Sequence, residues 1–205
     1  EVKYSLFNDI FIPYVGARGG IKQTTFKSLT TENEFLLPNV AMRNENTAYD
    51  FYGGVKGSIS RRISFNAGIS FARVKDKALF VTDTIHSLRN KFDVIYDTMN
   101  VTTIEGSISY QLMEKLKVDA IGKFYSSDVL NNSYAWNLPR LEIMLRGSYN
   151  LFDKFLFNLD LKLEEGRKAL VYADGPGISE ENGQYIEKLN FIADVNLGVE
   201  YRYNK

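Results

Sequence analysis

From Leu141 to Leu163 the chain reads as two alternating tracts joined by a short polar turn. Leu141, Ile143, Leu145, Gly147, Tyr149 and Leu151 are apolar or small at every second position, and Phe155, Phe157, Leu159, Leu161 and Leu163 continue the rule. The positions between them are Glu142, Met144, Arg146, Ser148 and Asn150, then Leu156, Asn158, Asp160, Lys162 and Glu164. A period of two, held for about ten residues on each side of Asp153-Lys154, predicts two antiparallel strands. One face has no charge; the other is mostly polar or ionic. Soluble sandwiches also alternate, but their strands usually run to about five or six residues. Strands of roughly 9–11 residues with one apolar band are what a membrane-spanning β-barrel needs.

The same unit recurs along the chain. Short polar turns flanked by apolar residues stand at Asn8-Asp9, Arg61-Arg62, Glu114-Lys115 and Asp153-Lys154. Between them lie a strand out, a long connection and a strand back. Tight turns at one end and long loops at the other are the up-and-down arrangement of an outer-membrane barrel. Residues 1–7 read as the end of a strand. The next strand spans 11–28, and Gly19-Gly20 is a place where a bulge would flip its faces. Long loops are expected at 29–47, 82–92, 127–138 and 166–187. The strands between them carry Phe65, Ile69, Val118, Leu145, Phe157, Leu161, Phe191 and Leu197 on the uncharged side, expected to face lipid. Opposite them stand Lys117, Asp119, Lys123, Glu142, Arg146, Asp160, Lys162, Asp194, Glu200 and Arg202, expected to face a lumen. Arg73 breaks the rule on the apolar side, at the loop end of its strand. A cation at the bilayer midplane of a barrel costs about 2–4 kcal/mol and near zero at the rim. Tyr149, Tyr201 and Tyr203 near the short turns, and Tyr49, Phe71, Phe124 and Trp136 near the long loops, are placed for interfacial girdles.

Composition sharpens this picture. Lys plus Arg and Asp plus Glu number 25 each in 205 residues. That balance argues against a nucleic-acid partner, which selects a basic surface. No apolar run approaches the roughly 20 residues of a spanning helix. The mean hydropathy of −0.23 does not exclude a barrel, whose polar inner face dilutes the average. With no cysteine, disulfides, thiolate zinc sites and a thiol nucleophile are excluded. Glu1-Val2-Lys3-Tyr4-Ser5 has neither the charged nor the apolar region of a secretory signal; either a signal has been removed or the chain is an internal piece of a longer one, and the second is the expectation. The expected fold is all-β, an antiparallel up-and-down transmembrane β-barrel of about eight long strands. Residues 1–205 would form a single barrel domain, part of a larger barrel.

Three stretches carry a family likeness. Pro13-Tyr14-Val15-Gly16 through Ser28-Leu29-Thr30-Thr31-Glu32-Asn33-Glu34-Phe35, the strand Tyr52-Gly53-Gly54-Val55-Lys56-Gly57, and the loop Tyr134-Ala135-Trp136-Asn137-Leu138-Pro139 resemble the barrel portion of TonB-dependent receptors and related outer-membrane proteins of the Bacteroidetes type. The resemblance implies a plug domain ahead of a barrel of about 22 strands, import of a scarce nutrient, and a place in the bacterial outer membrane. It implies membrane lipid as one partner and a nutrient ligand at the long loops as another. Neither a plug nor a TonB box is recognisable here, and Tyr203-Asn204-Lys205 lacks a terminal aromatic. The alternatives are a self-contained small barrel that anchors, adheres or stabilises the envelope, and a soluble lipocalin-like binder with the apolar face turned inward.

No stretch reads as catalytic, and no cofactor or metal is expected. His86 sits in a polar loop without the three converging ligands that a metal needs. Glu164-Glu165 point to opposite faces of a strand, and Glu180-Glu181 read as loop solvation. Gly16-Ala17-Arg18-Gly19-Gly20 lacks the Lys-Ser/Thr and the helix of a phosphate loop. Asp174-Gly175-Pro176-Gly177 is turn chemistry, and the triplets Asn100-Val101-Thr102 and Asn131-Asn132-Ser133 match a glycosylation pattern by accident. The mixed signs of the polar row point to charge pairing across a wall.

Overall fold

Eight long strands and a short one build the wall, and the alternation sets their phase. The computed structural model describes residues 1–5, 10–87, 89–172 and 184–203. The elements are β1 (Val2–Lys3), β2 (Ile12–Lys22), α1 (Phe26–Glu32), β3 (Glu45–Ser60), β4 (Ile63–Thr82), β5 (Phe92–Met113), β6 (Leu116–Val129), β7 (Leu141–Leu151), β8 (Phe155–Glu165), β9 (Lys168–Tyr172), β10 (Gln184–Lys188) and β11 (Ile192–Tyr201). One antiparallel sheet takes β1 to β8 in chain order and ends on β11. Among the described residues it is an up-and-down meander, open rather than closed, because β1 and β11 do not pair. Strands β9 and β10 form a separate ribbon beyond the ends of β8 and β11.

The tight turns fall where polar residues interrupt the alternation: Arg61-Arg62 joins β3 to β4, Glu114-Lys115 joins β5 to β6, and residues 152–154 join β7 to β8. Phe152 (φ 54°) and Asp153 (φ 57°) are left-handed, which matches the twist of a two-stranded hairpin. The Asn8-Asp9 turn lies outside the described residues.

At the other end the strands outgrow expectation. β4 has 20 residues and β5 has 22, about 70 Å of extended chain against a hydrocarbon layer of about 30 Å. The expected bulge is present: register shifts between Arg18 and Gly20. Further shifts fall between Thr47 and Tyr49 and between Val74 and Lys77, so three neighbouring strands change phase at one level.

Two expectations fail in the connections. The strand predicted over 11–28 stops at Lys22, and the loop predicted over 29–47 begins with a helix. Thr25 caps α1 by accepting from the Ser28 amide (3.1 Å), while the Ser28 hydroxyl oxygen accepts from the Thr25 amide (3.0 Å). This reciprocal cap satisfies two amides that a helix start leaves unpaired. α1 then lays Leu29 against Leu36, Val40, Phe80 and Val94, a small buried core on the overhanging tips of β4 and β5. The loop predicted over 166–187 contains the β9–β10 ribbon. Its two arms are too short to stand out as alternation.

Candidate functional site

Register divides the sheet into two unlike faces. Phe65 pairs with Gly57 and Ile108, Ile69 with Gly53 and Ile104, and Val118 with Tyr110 and Gly147. Leu145 sits between Ala120 and Leu161, Phe157 between Tyr149 and Val199, and Leu197 opposite Leu159. Phe191 lies one residue before β11. This face is charge-free up to Arg73, which pairs with Tyr49 and Asn100 at the loop end. Its large side chains stand exposed: Leu197 is 79% exposed and Phe191 63%. A sealed apolar interior, as a lipocalin-like binder requires, is not what these residues form.

The opposite face is a ladder of opposed charges. Lys123 stands across from Glu142, Asp119 from Arg146, and Lys162 from Asp194. Arg146 Nε lies 3.3 Å from Asp160 Oδ1. Along single strands, Lys117 meets Asp119 at 3.0 Å, Lys162 meets Glu164 at 2.5 Å and Glu200 meets Arg202 at 2.9 Å. Each is an i,i+2 pair, the spacing that keeps two side chains on one side of a strand. Solvated pairs of this kind contribute about 0–1 kcal/mol each. Glu165 points away from Glu164 and toward Lys188, at 3.4 Å.

Toward the long-loop end this face opens into a cavity of about 600 Å³. Around it Arg18 Nε donates to Asp50 Oδ2 (2.7 Å), Lys77 Nζ to Glu45 Oε2 (2.9 Å), and the Tyr125 hydroxyl to Glu142 Oε2 (2.8 Å). Ala72, Val74, Met99 and Val101 give it an apolar floor. Of these residues only Glu142 is a candidate from the sequence. Asp50, on β3, carries no local signal of its role, because its partner Arg18 lies across on β2, whose phase Gly19-Gly20 leaves open.

Buried carboxylates hold the connections. Asp97, 2% exposed, accepts from the Asn131 amide (3.0 Å) and from the side-chain nitrogens of Asn131 (2.8 Å) and Asn132 (2.7 Å). Asp83 accepts from the backbone amides of Ser87 (2.6 Å) and His86 (2.9 Å). Burial of Asp83 opposes its ionisation, yet the hydrogen bonds from Ser87 and His86 outweigh it and hold the carboxyl down to about 2. His86 Nδ1 lies 3.3 Å from Asp83, with its ring mostly in solvent. Among the described residues no group of three His, Cys, Asp or Glu side chains converges as a metal site needs. Trp136 corrects the girdle expectation: it is buried at 4% exposure and packs edge-on against Tyr134 at 5.5 Å, inside its loop. Asp174-Gly175-Pro176-Gly177 and Glu180-Glu181 lie outside the described residues.

In fold the sheet is similar to part of the barrel wall of solved outer-membrane receptors and transporters. The pyoverdine outer membrane receptor FpvA from Pseudomonas aeruginosa PAO1 superimposes with a TM-score of 0.60 over 97% of this chain at 13% identity. The ferric-catecholate import receptor Fiu from E. coli K12 gives 0.54 over 99% at 14% identity, and the copper transporter OprC gives 0.58 over 99% at 16% identity. The chain spans 28%, 28% and 30% of these three proteins respectively. These neighbours are receptors and transporters rather than enzymes. No protein-family model and no curated protein matches the sequence.

Proposed function

We propose that this chain forms one section of the wall of a TonB-dependent-receptor-like barrel of the Bacteroidetes type that imports a nutrient across the bacterial outer membrane. Its uncharged face meets lipid, its charge ladder meets the water of the lumen, and its long-loop end receives the ligand. One observation carries the reading. Through nine paired strands the register keeps the lower two-thirds of one face free of charge and gathers the ions on the other. A water-soluble protein gains nothing from leaving so much apolar surface uncovered. A self-contained small barrel would pair β1 with β11, and the lack of such pairing among the described residues supports a section of a larger wall.

The absence of cysteine makes the test clean. Leu145→Cys and Arg146→Cys place single thiols on opposite faces of β7. In vesicles, a water-soluble maleimide is expected to label position 146 quickly and position 145 slowly, while a lipid-dissolved quencher darkens a dye at 145. Equal labelling at both positions overturns the assignment.

A further inference from the structure

Arg18 and Asp50 form an ion pair whose geometry is poor for stability and good for recognition. They are direct cross-strand partners on β2 and β3. Arg18 Nε donates to Asp50 Oδ2 at 2.7 Å, and the guanidinium carbon lies 5.1 Å from the centre of the Tyr52 ring. One edge and one face of the guanidinium are thereby held. Among the described residues its two Nη groups have no hydrogen-bond partner. The Arg18 side chain is 71% exposed, while that of Asp50 is only 7% exposed.

As a stabilising device this is weak. A carboxylate is withdrawn from water, its Oδ1 is left buried without a partner, and its counter-ion stays solvated, where attraction is screened. The same features make sense as preorganisation. A buried acid that fixes a planar fork lets the fork bind without first losing its freedom. The fork stands where two cavities on the polar face meet, about 600 Å³ and 330 Å³, with Arg18, Ser70 and Thr103 lining both. Positive and negative side chains balance around them. Selection therefore rests on the geometry of the two free N–H edges, which matches a carboxylate or phosphate group.

We propose that Arg18 is an anion anchor, docking the carboxylate or phosphate of a small ligand on its Nη edge, with Asp50 as its positioning residue. This rests on the polar face being a receptor lumen and names the ligand chemistry of that site. Binding in detergent does not depend on transport or on which face meets lipid, so it fails separately from that reading.

The test is calorimetric titration of the detergent-solubilised protein with citrate, as a carboxylate source, and with pyrophosphate, as a phosphate source, both against matched chloride. Saturable binding of at least one anion is expected, and the one bound assigns the group. R18K is expected to weaken it about tenfold, because a point charge replaces the fork. D50N is expected to weaken it in the wild-type background but not in the R18K background, since Asp50 acts through Arg18. A merely structural role for Asp50 would lower the melting temperature in both backgrounds and leave affinity alone. Failure of both anions to bind, wild-type affinity in R18K, or a D50N loss that adds to that of R18K overturns the proposal.

Discussion

Tyr14 on β2 reaches over an entire strand to donate its hydroxyl to Asn66 Oδ1 on β4, at 2.9 Å. Asn66 in turn donates to Glu105 Oε1 on β5 at 3.2 Å. Two hydrogen bonds among three side chains thus tie β2, β4 and β5 across the intervening β3. The reach exists because the residues beneath the ring, Gly54 and Gly68, have no side chains. A Cβ on Gly54 would lie 2.6 Å from the Tyr14 oxygen and one on Gly68 2.8 Å from it.

Filling that floor should loosen the wall. Gly68→Ala is expected to cost about 1–3 kcal/mol, as overpacking does. Gly54→Ala should cost more, because its added carbon also meets the Ala67 carbonyl, which cannot swing away. Gly106→Ala, with open space at its Cβ, should stay within about 0.5 kcal/mol of the parent. Urea unfolding from vesicles measures all three.

The lipid assignment predicts a depth profile. Leu145→Arg, midway along β7, should cost about 2–4 kcal/mol in vesicle-based unfolding. Arg73 already sits at the loop rim of the same face, so Arg73→Leu should change stability by well under about 1 kcal/mol.

Asp97 is a buried anion that accepts from the Asn131 amide and the Asn131 and Asn132 side chains of one loop, and from the Thr98 amide at 2.7 Å. Replacing it by Ala leaves the Asn131 and Asn132 amides without their acceptor, which costs about 1–3 kcal/mol for each unsatisfied group. The loss should be local. Hydrogen exchange at the Asn131 amide should quicken by orders of magnitude while amides in the centre of β6 keep their protection.

Asp83 gives a pH dependence with a definite sign. Its folded carboxyl titrates at about 2, below the ordinary value of 3.8. It therefore favours the folded loop fully above the ordinary value, and that contribution is lost as pH falls toward 2. Order of the His86 and Ser87 amides, followed by NMR, should be constant from neutral pH to about 5 and fade below it. Asp83→Asn should remove the transition.

The wall was legible because its rule is severe. Charge is confined to the side opposite Leu145 and Ile108, as the proposed lipid contact would require, so phase could be read from Phe51 to Val199 with Arg73 as the marked exception. Gly19 announced the bulge by its type. The loop core was not legible: Leu29, Leu36 and Val40 meet Phe80 and Val94 only because β4 and β5 overhang, and no local period connects them. Trp136 looked like an interfacial ring because burial within a loop leaves no mark in alternation. Arg18 and Asp50 escaped notice for a related reason. Their pairing depends on how β2 aligns with β3, and the phase of β2 was the one left open by Gly19-Gly20.

The overhanging β4–β5 arm has a last consequence. Most ladder bonds beyond the bulge continue to Thr82 and Phe92, and Asp83 closes the tip. The mouth is therefore flanked by a fixed post rather than a swinging tether. On the proposed reading, a ligand arriving at that end would meet the same contour each time and gain its foothold without first having to still a moving crowd of side chains.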